Sequence, residues 1–261
     1  MSVSGRSSCA GRWGPGVFAA LLAVVLGSPA GGDSPPPDPV DAVRGALRGG
    51  DLAAAERSAR AWSDARPDDL RAAFYLGLSL HKLKRHAEAL ALLERAEAAP
   101  DAAFPEAPHV PHYLGWCRYY LGDLAGARAA FLAHAAAFPE YDDTQFAIGL
   151  IAFDQDEVDE AERRFRRALE LLDRAGSAPG IARERAKCLA RLGDVALRRG
   201  DLASAERDAR AAVTLWPDHH EAWAKLARVL DRQGRASEAA EARTQQQQAL
   251  ARVAASGKAA P

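Results

Sequence analysis

The 261-residue chain has no asparagine, one methionine and three cysteines. Its longest apolar run is the ten residues from Val17 to Leu26, half of the roughly twenty that a membrane-crossing helix needs. Neither charge dominates, with 34 Lys+Arg against 35 Asp+Glu. A nucleic-acid footprint would need a basic excess gathered on one face, so no nucleic acid is expected as a partner. No Gly-rich phosphate cradle and no nucleophile elbow is present, which removes the nucleotide-binding and serine-hydrolase classes that carry them. The few cysteines are badly placed for a framework. Cys9 precedes the apolar run, where no lipidated cysteine would sit, and Cys117 and Cys188 are a repeat or more apart. A disulfide needs Cα atoms within about 7 Å, so two buried free thiols are expected.

What the chain does contain is one spacing, six times over. Gly77 is followed twelve residues later by Ala89, Gly115 by Ala127, Gly149 by Ala161 and Gly193 by Ala205, with Val43–Ala55 and Ala227–Ala239 at the two ends. Successive first members are 34, 38, 34, 44 and 34 residues apart. Within a copy the pattern is helical. Ala73, Leu76, Leu80 and Leu83 make one stripe, and Ala89, Leu93 and Ala96 make a second after the Lys84-Arg85 turn. Two such helices joined by a short turn pack antiparallel and leave apolar faces that only the next pair can cover. Punctuation recurs as well. Gly50-Asp51, Gly122-Asp123 and Gly200-Asp201 supply a glycine to end one helix and an aspartate to start the next, while Pro67, Pro139 and Pro217 close second helices.

This pattern resembles the tetratricopeptide repeat (TPR) family over nearly all of residues 36–253. The fourth copy, DDTQFAIGLIAFDQDEVDEAERRFRRALELLD, and the sixth, HEAWAKLARVLDRQGRASEAAEA with Trp223 near its start, carry the resemblance best. It implies an all-α, right-handed helical solenoid of about six helix-turn-helix repeats, placed at 36–69, 70–103, 108–141, 142–175, 186–219 and 220–253. The first copy departs most, with Val43 where a small residue is usual and Trp62 where alanine is, as befits a terminal repeat with one uncovered face. Two insertions break the period. Pro100, Pro105, Pro108 and Pro111 predict a rigid extended loop, and residues 176–185 (GSAPGIARER) a longer spacer.

The ends carry different signals. Arg6 and Arg12, the apolar Val17–Leu26 core and the small residues Ser28-Pro29-Ala30 follow the order of a secretory signal peptide over residues 1–30. An uncleaved anchor is the alternative and the one route to a membrane. Residues 31–37 read as a Pro/Gly linker, and 254–261 as a disordered tail. The protein is therefore expected to be exported, to a bacterial periplasm or outside the cell.

The resemblance also implies that first helices line a concave groove that holds a partner's segment. By phase the groove stripe runs through Phe74, Leu78 and His81, then His112, Trp116, Tyr119 and Tyr120, then Phe146, Leu150 and Phe153. The corresponding residues of the last two copies are polar: Lys187, Asp194 and Arg198, then Glu221, Arg228 and Asp231. An apolar or aromatic segment of a protein or peptide partner is expected against repeats two to four, unless these rings only pack between neighbouring repeats. A glycan or small-ligand receptor, and a recruiting subunit of an envelope enzyme, are the alternatives. Family members that clamp a peptide carboxylate use lysine, asparagine and arginine on successive first helices, and a chain without asparagine cannot build that clamp. No catalytic residue, metal site or cofactor is expected. His109 and His112 read as solvated loop histidines, His219-His220 as divergent, and the acidic turn from Asp156 to Glu162 as a helix-start decoration.

Overall fold

A computed structural model describes residues 38–98 and 104–255. The expected signal peptide, the 31–37 linker and the tail from Ser256 lie outside the described residues. Among those described there are twelve α-helices and no strand: α1 (Pro39–Gly49), α2 (Leu52–Ala65), α3 (Leu70–Lys82), α4 (His86–Glu97), α5 (Val110–Tyr120), α6 (Leu124–Ala137), α7 (Asp142–Asp154), α8 (Val158–Ala175), α9 (Pro179–Arg199), α10 (Leu202–Leu215), α11 (His220–Arg232) and α12 (Ala236–Ala255). Odd-numbered helices are the first of each pair and even-numbered ones the second. Ala254 and Ala255, placed by sequence in the tail, still belong to α12.

Each turn within a pair obeys one rule. The residue seven places after the small first member has positive φ in all six copies: Gly50, Lys84, Gly122, Asp156, Gly200 and Gly234. Lys84 and Asp156 hold that left-handed geometry, at φ 63° each, without a glycine's freedom. The aspartate after three of these glycines caps the following helix. Asp51, Asp123 and Asp201 accept from the amides of Ala54, Gly126 and Ser204 at 2.9, 2.9 and 3.0 Å.

The Gly/Ala pairs mark where helices of one repeat cross closely. A methyl group at Gly115 would come within 2.7 Å of the Phe131 ring, and one at Gly149 within 2.7 Å of Phe165. Both rings are fully buried, so a helix carrying a larger residue there could not seat against its partner. Beyond the pair, every helix packs on its neighbours in sequence, and first helices also touch first helices, as α1 with α3, α3 with α5, α5 with α7 and α9 with α11. Second helices make no comparable mutual contact, so the stack curves with the first helices on the inside.

The second helices are tied across repeats by ions. Arg85 meets Glu56 at 2.7 Å and Arg235 meets Glu206 at 2.7 Å, from matching positions of their repeats. Between the third and fourth repeats the same two positions hold the charges reversed, with Arg128 meeting Glu157 at 2.8 Å.

Both insertions differ from expectation. The described part of the proline-rich stretch is not extended: residues 104–109 turn back, Ala107–His109 form a 3-10 turn, and Pro111 sits in the first turn of α5. Phe104 and Glu106 are buried, and the Glu106 carboxylate accepts from Arg44, from Arg71 at 2.9 Å and from the Tyr75 hydroxyl at 2.8 Å. A buried carboxylate needs such partners, and they fold the segment onto α1 and α3. Residues 176–185 are mostly helix, because Pro179 starts α9 and extends it to 21 residues.

Candidate functional site

The inner wall of repeats two to four is built from α3, α5 and α7, and its side chains divide into packed and open sets. Phe74, Leu78, His112, Trp116 and Leu150 are buried, which corrects the expectation that they face an open groove. Phe74 lies among the rings of Tyr75, Phe104 and Tyr113, at 5.3, 5.8 and 5.7 Å between centroids. Trp116 packs edge to face with Phe131 at 5.3 Å and donates from Nε1 to Asp143 at 3.2 Å. The remaining five keep surface. His81, Tyr119, Phe146 and Phe153 are half-buried, and Tyr120 is 57% exposed. Tyr119 donates its hydroxyl to Asp154 at 2.9 Å, Arg198 lies 5.0 Å from the Phe153 ring centre, and Phe146 packs on Phe165 at 5.5 Å.

Below this wall runs a buried polar chain. His109 Nδ1 lies 3.1 Å from His134 Nε2, His134 Nδ1 lies 2.8 Å from the Thr144 hydroxyl, and that hydroxyl lies 3.0 Å from His112 Nδ1. His112 Nε2 ends the chain on Asp143 at 3.1 Å. His109 and His112 are thus not solvated loop residues. α5 and its preceding turn insert them between α6 and α7, where each finds a polar partner. Burial, with the neighbouring imidazoles adding to it, holds His134 down to about 3 and His109 to about 4. Burial alone would raise Asp143, but the bonds from His112 and Trp116 and nearby positive charge outweigh it and bring the carboxyl to about 2. His109, His134, Thr144 and His112 are buried and joined to one another, Asp143 is half-buried at the end, and the chain ties the third repeat to the fourth. His219, read from the sequence as diverging from His220, is also buried, against Trp216 at 4.7 Å.

At the end of this wall nearest the α3–α4 turn, His81, His86 and Cys117 converge, with one donor atom from each lying within 4.8 Å of the others. Cys117 Sγ is 3.6 Å from His81 Nδ1. His86 stacks on Tyr120 at 4.4 Å, and Tyr120 in turn on Trp116 at 5.7 Å. Burial holds His81 at about 3, so its imidazole is neutral with a lone pair free to accept or ligate. It also pushes the Cys117 thiol up to about 12, which makes it a poor free nucleophile. Sequence reasoning named His81 and missed His86 and Cys117 as its companions. They come from two other helices, and Cys117 lies 36 residues from His81. The available signal was a break in the repeat: His86 opens a second helix where the other copies have Leu52, Leu124, Val158, Leu202 and Ala236.

The model of the tetratricopeptide repeat family matches residues 40–108, 114–179, 146–197 and 190–245. No match was found among curated proteins. Among solved structures, the APC/C hetero-tetramer Cut9–Hcn1 matches with a TM-score of 0.67 at 17% identity, over 78% of this chain and 38% of the matched one. This chain therefore spans well under half of that protein. TTC0263, a thermophilic TPR protein of Thermus thermophilus, matches with a TM-score of 0.53 at 21% identity, over 74% and 97% of the two chains. MamA from Desulfovibrio magneticus RS-1 matches with a TM-score of 0.51 at 15% identity, over 68% and 92%. At these identities the likeness is one of fold.

Proposed function

The chain belongs to the tetratricopeptide repeat family, whose stacks are scaffolds for protein or peptide partners, and from that premise we propose that it is an exported scaffold of the bacterial cell envelope. Its partner contributes an apolar or aromatic segment that lies along the inner wall of repeats two to four. The observation that carries this reading is Tyr120, which is more than half exposed and continues into the half-buried Tyr119, His81 and Phe153. A large aromatic side chain left in water beside others marks a contact surface. Export is supported by the basic start, the ten-residue apolar core and the small residues at Ser28-Pro29-Ala30. Among the described residues no helix is long and apolar enough to cross a membrane.

Affinity capture from the envelope fraction tests the reading, with Tyr120→Ala run beside the parent. Tyr120 carries little of the core, so the variant keeps its fold; Trp116→Ala would not serve, because that ring is buried. Loss of a captured protein with Tyr120→Ala is the expected result. An equal catch from both chains would overturn the inner-wall reading, and a catch of glycan in place of protein would make the stacked rings a sugar platform.

A further inference from the structure

We propose that His81, His86 and Cys117 form a metal site that takes one Zn²⁺ ion through two imidazole nitrogens and one thiolate. The inference stands on the geometry and on the repeat itself, independently of the partner reading. Tetrahedral zinc, with Zn–N of about 2.0 Å and Zn–S of about 2.3 Å, sets two of its donors about 3.5 Å apart. His81 Nδ1 and Cys117 Sγ are already 3.6 Å apart, and the His86 donor lies within 4.8 Å of both. His86 also carries a ring nitrogen, Nδ1, that is shielded from water and has no hydrogen-bond partner. Such an atom is costly to bury unless something completes it.

The other repeats act as an internal control. Four residues after the small first member, where the second copy has His81, they have Leu47, Tyr119, Phe153, Leu197 and Asp231. Two residues after it, where the third copy has Cys117, they have Gly45, Ser79, Ile151, Val195 and Val229. At the start of the second helix all five other residues are apolar and only His86 is not. The other copies have neither histidine nor cysteine at these three positions, and the chain brings the three together once, across α3, α4 and α5.

Zinc is favoured by the donor set, since two imidazoles and a thiolate suit a borderline ion, whereas calcium and magnesium ask for oxygen. Binding is an exchange: the ion replaces the Cys117 thiol proton, which leaves to solvent, and no electron moves. Three protein donors leave a fourth position. It opens beside the half-buried His81 and His86 and the exposed Tyr120, which is also the route by which an ion would enter.

The test is titration of the full chain with Zn²⁺ and, separately, with Co²⁺ as a spectroscopic probe. Expected are one tightly bound Zn²⁺ per chain and a thiolate-to-cobalt absorption band that disappears in Cys117→Ser and persists in Cys188→Ser. His86→Leu restores the apolar residue that other copies carry, so its metal-free melting should match the parent while zinc affinity falls by more than about tenfold, given that even outer-shell changes cost that much. Absence of binding to the parent, a cobalt band of parental strength in Cys117→Ser, or parental zinc affinity in His86→Leu would each overturn the site.

Discussion

The two halves of the inner wall solve one problem with different chemistry. Between α5 and α7 the junction is made of rings and imidazoles, ending where His112 and Trp116 share Asp143. Between α9 and α11 it is ionic: Lys225 donates to Asp194 at 2.6 Å, with both side chains nearly buried and Arg191 at 3.4 Å. Burial lowers the pKa of Lys225, and Asp194 opposes that shift. Any means of satisfying the buried polar groups closes such a junction. What differs is the surface left over. Rings that pack edge to face leave one of their number, Tyr120, in water, while ion pairs leave a polar wall. The central repeats therefore carry both the aromatic surface and the metal-capable cluster.

Removing one partner of the ionic junction should have the largest effect. Asp194→Ala leaves Lys225 without its carboxylate in a nearly closed site, and a loss of about 3–5 kcal/mol is expected in urea unfolding. The double variant Asp194→Leu/Lys225→Met should recover most of it, because an apolar pair of similar volume carries no desolvation penalty. If the double variant were as unstable as the single one, the ionic junction would be irreplaceable and the comparison would fail.

Acid should act next, and chiefly on the histidine junction. His109 and His134 hold pKa values of about 4 and 3, below the ordinary imidazole value of 6.5. The unfolded chain thus binds more protons over that interval, and stability falls as pH drops from about 6.5 toward the folded values. Between pH 6.5 and 5 each imidazole held neutral accounts for about 2 kcal/mol. Asp143, already ionised down to about 2, adds its own loss only near pH 4 and below. His219, held near 3 in the C-terminal half, contributes a like share. Unfolding midpoints at pH 7 and pH 5 should therefore separate more for the parent than for His134→Gln, which hydrogen-bonds without titrating. Equal separations would mean that His134 is protonated without cost.

The smallest effects come from the glycines. Gly115→Ala drives a methyl into the Phe131 ring and should cost about 1–3 kcal/mol. Gly193→Ala meets its first neighbour, a backbone oxygen of Ala205, at 3.5 Å, an ordinary contact. There the gain in helix propensity should dominate and raise stability by about 0.5–1 kcal/mol. Thermal melting of the two variants side by side would show opposite shifts. The same shift in both would mean that the large rings of the third and fourth repeats do not set the close approach.

Much of the fold was legible because its causes are local. The twelve-residue Gly-to-Ala interval, the Gly-Asp turns and the closing prolines each act within a few residues, and the solenoid follows from their recurrence. The inner-wall stripe was legible in phase but not in exposure. A first helix presents neighbouring faces to the groove and to the next repeat, and Phe74, Leu78, His112, Trp116 and Leu150 fall on the packed side while Tyr120 falls on the open one. The proline-rich stretch misled for a related reason. Proline fixes local angles, but Glu106 and Phe104 turn the segment inward through partners on α1 and α3.

That this chain stacks helix pairs, how many, and where each pair turns were all set by its residue order, since repeated short-range preferences sum along the chain. Packing between repeats decided which rings reach water, that a line of polar side chains runs beneath them from His109 to Asp143, and that His81, His86 and Cys117 meet. Those outcomes depend on how far one repeat is displaced and rotated against the next, an offset fixed by side-chain volumes at the crossings between repeats, such as Phe74 on Tyr113, and not written at any single position.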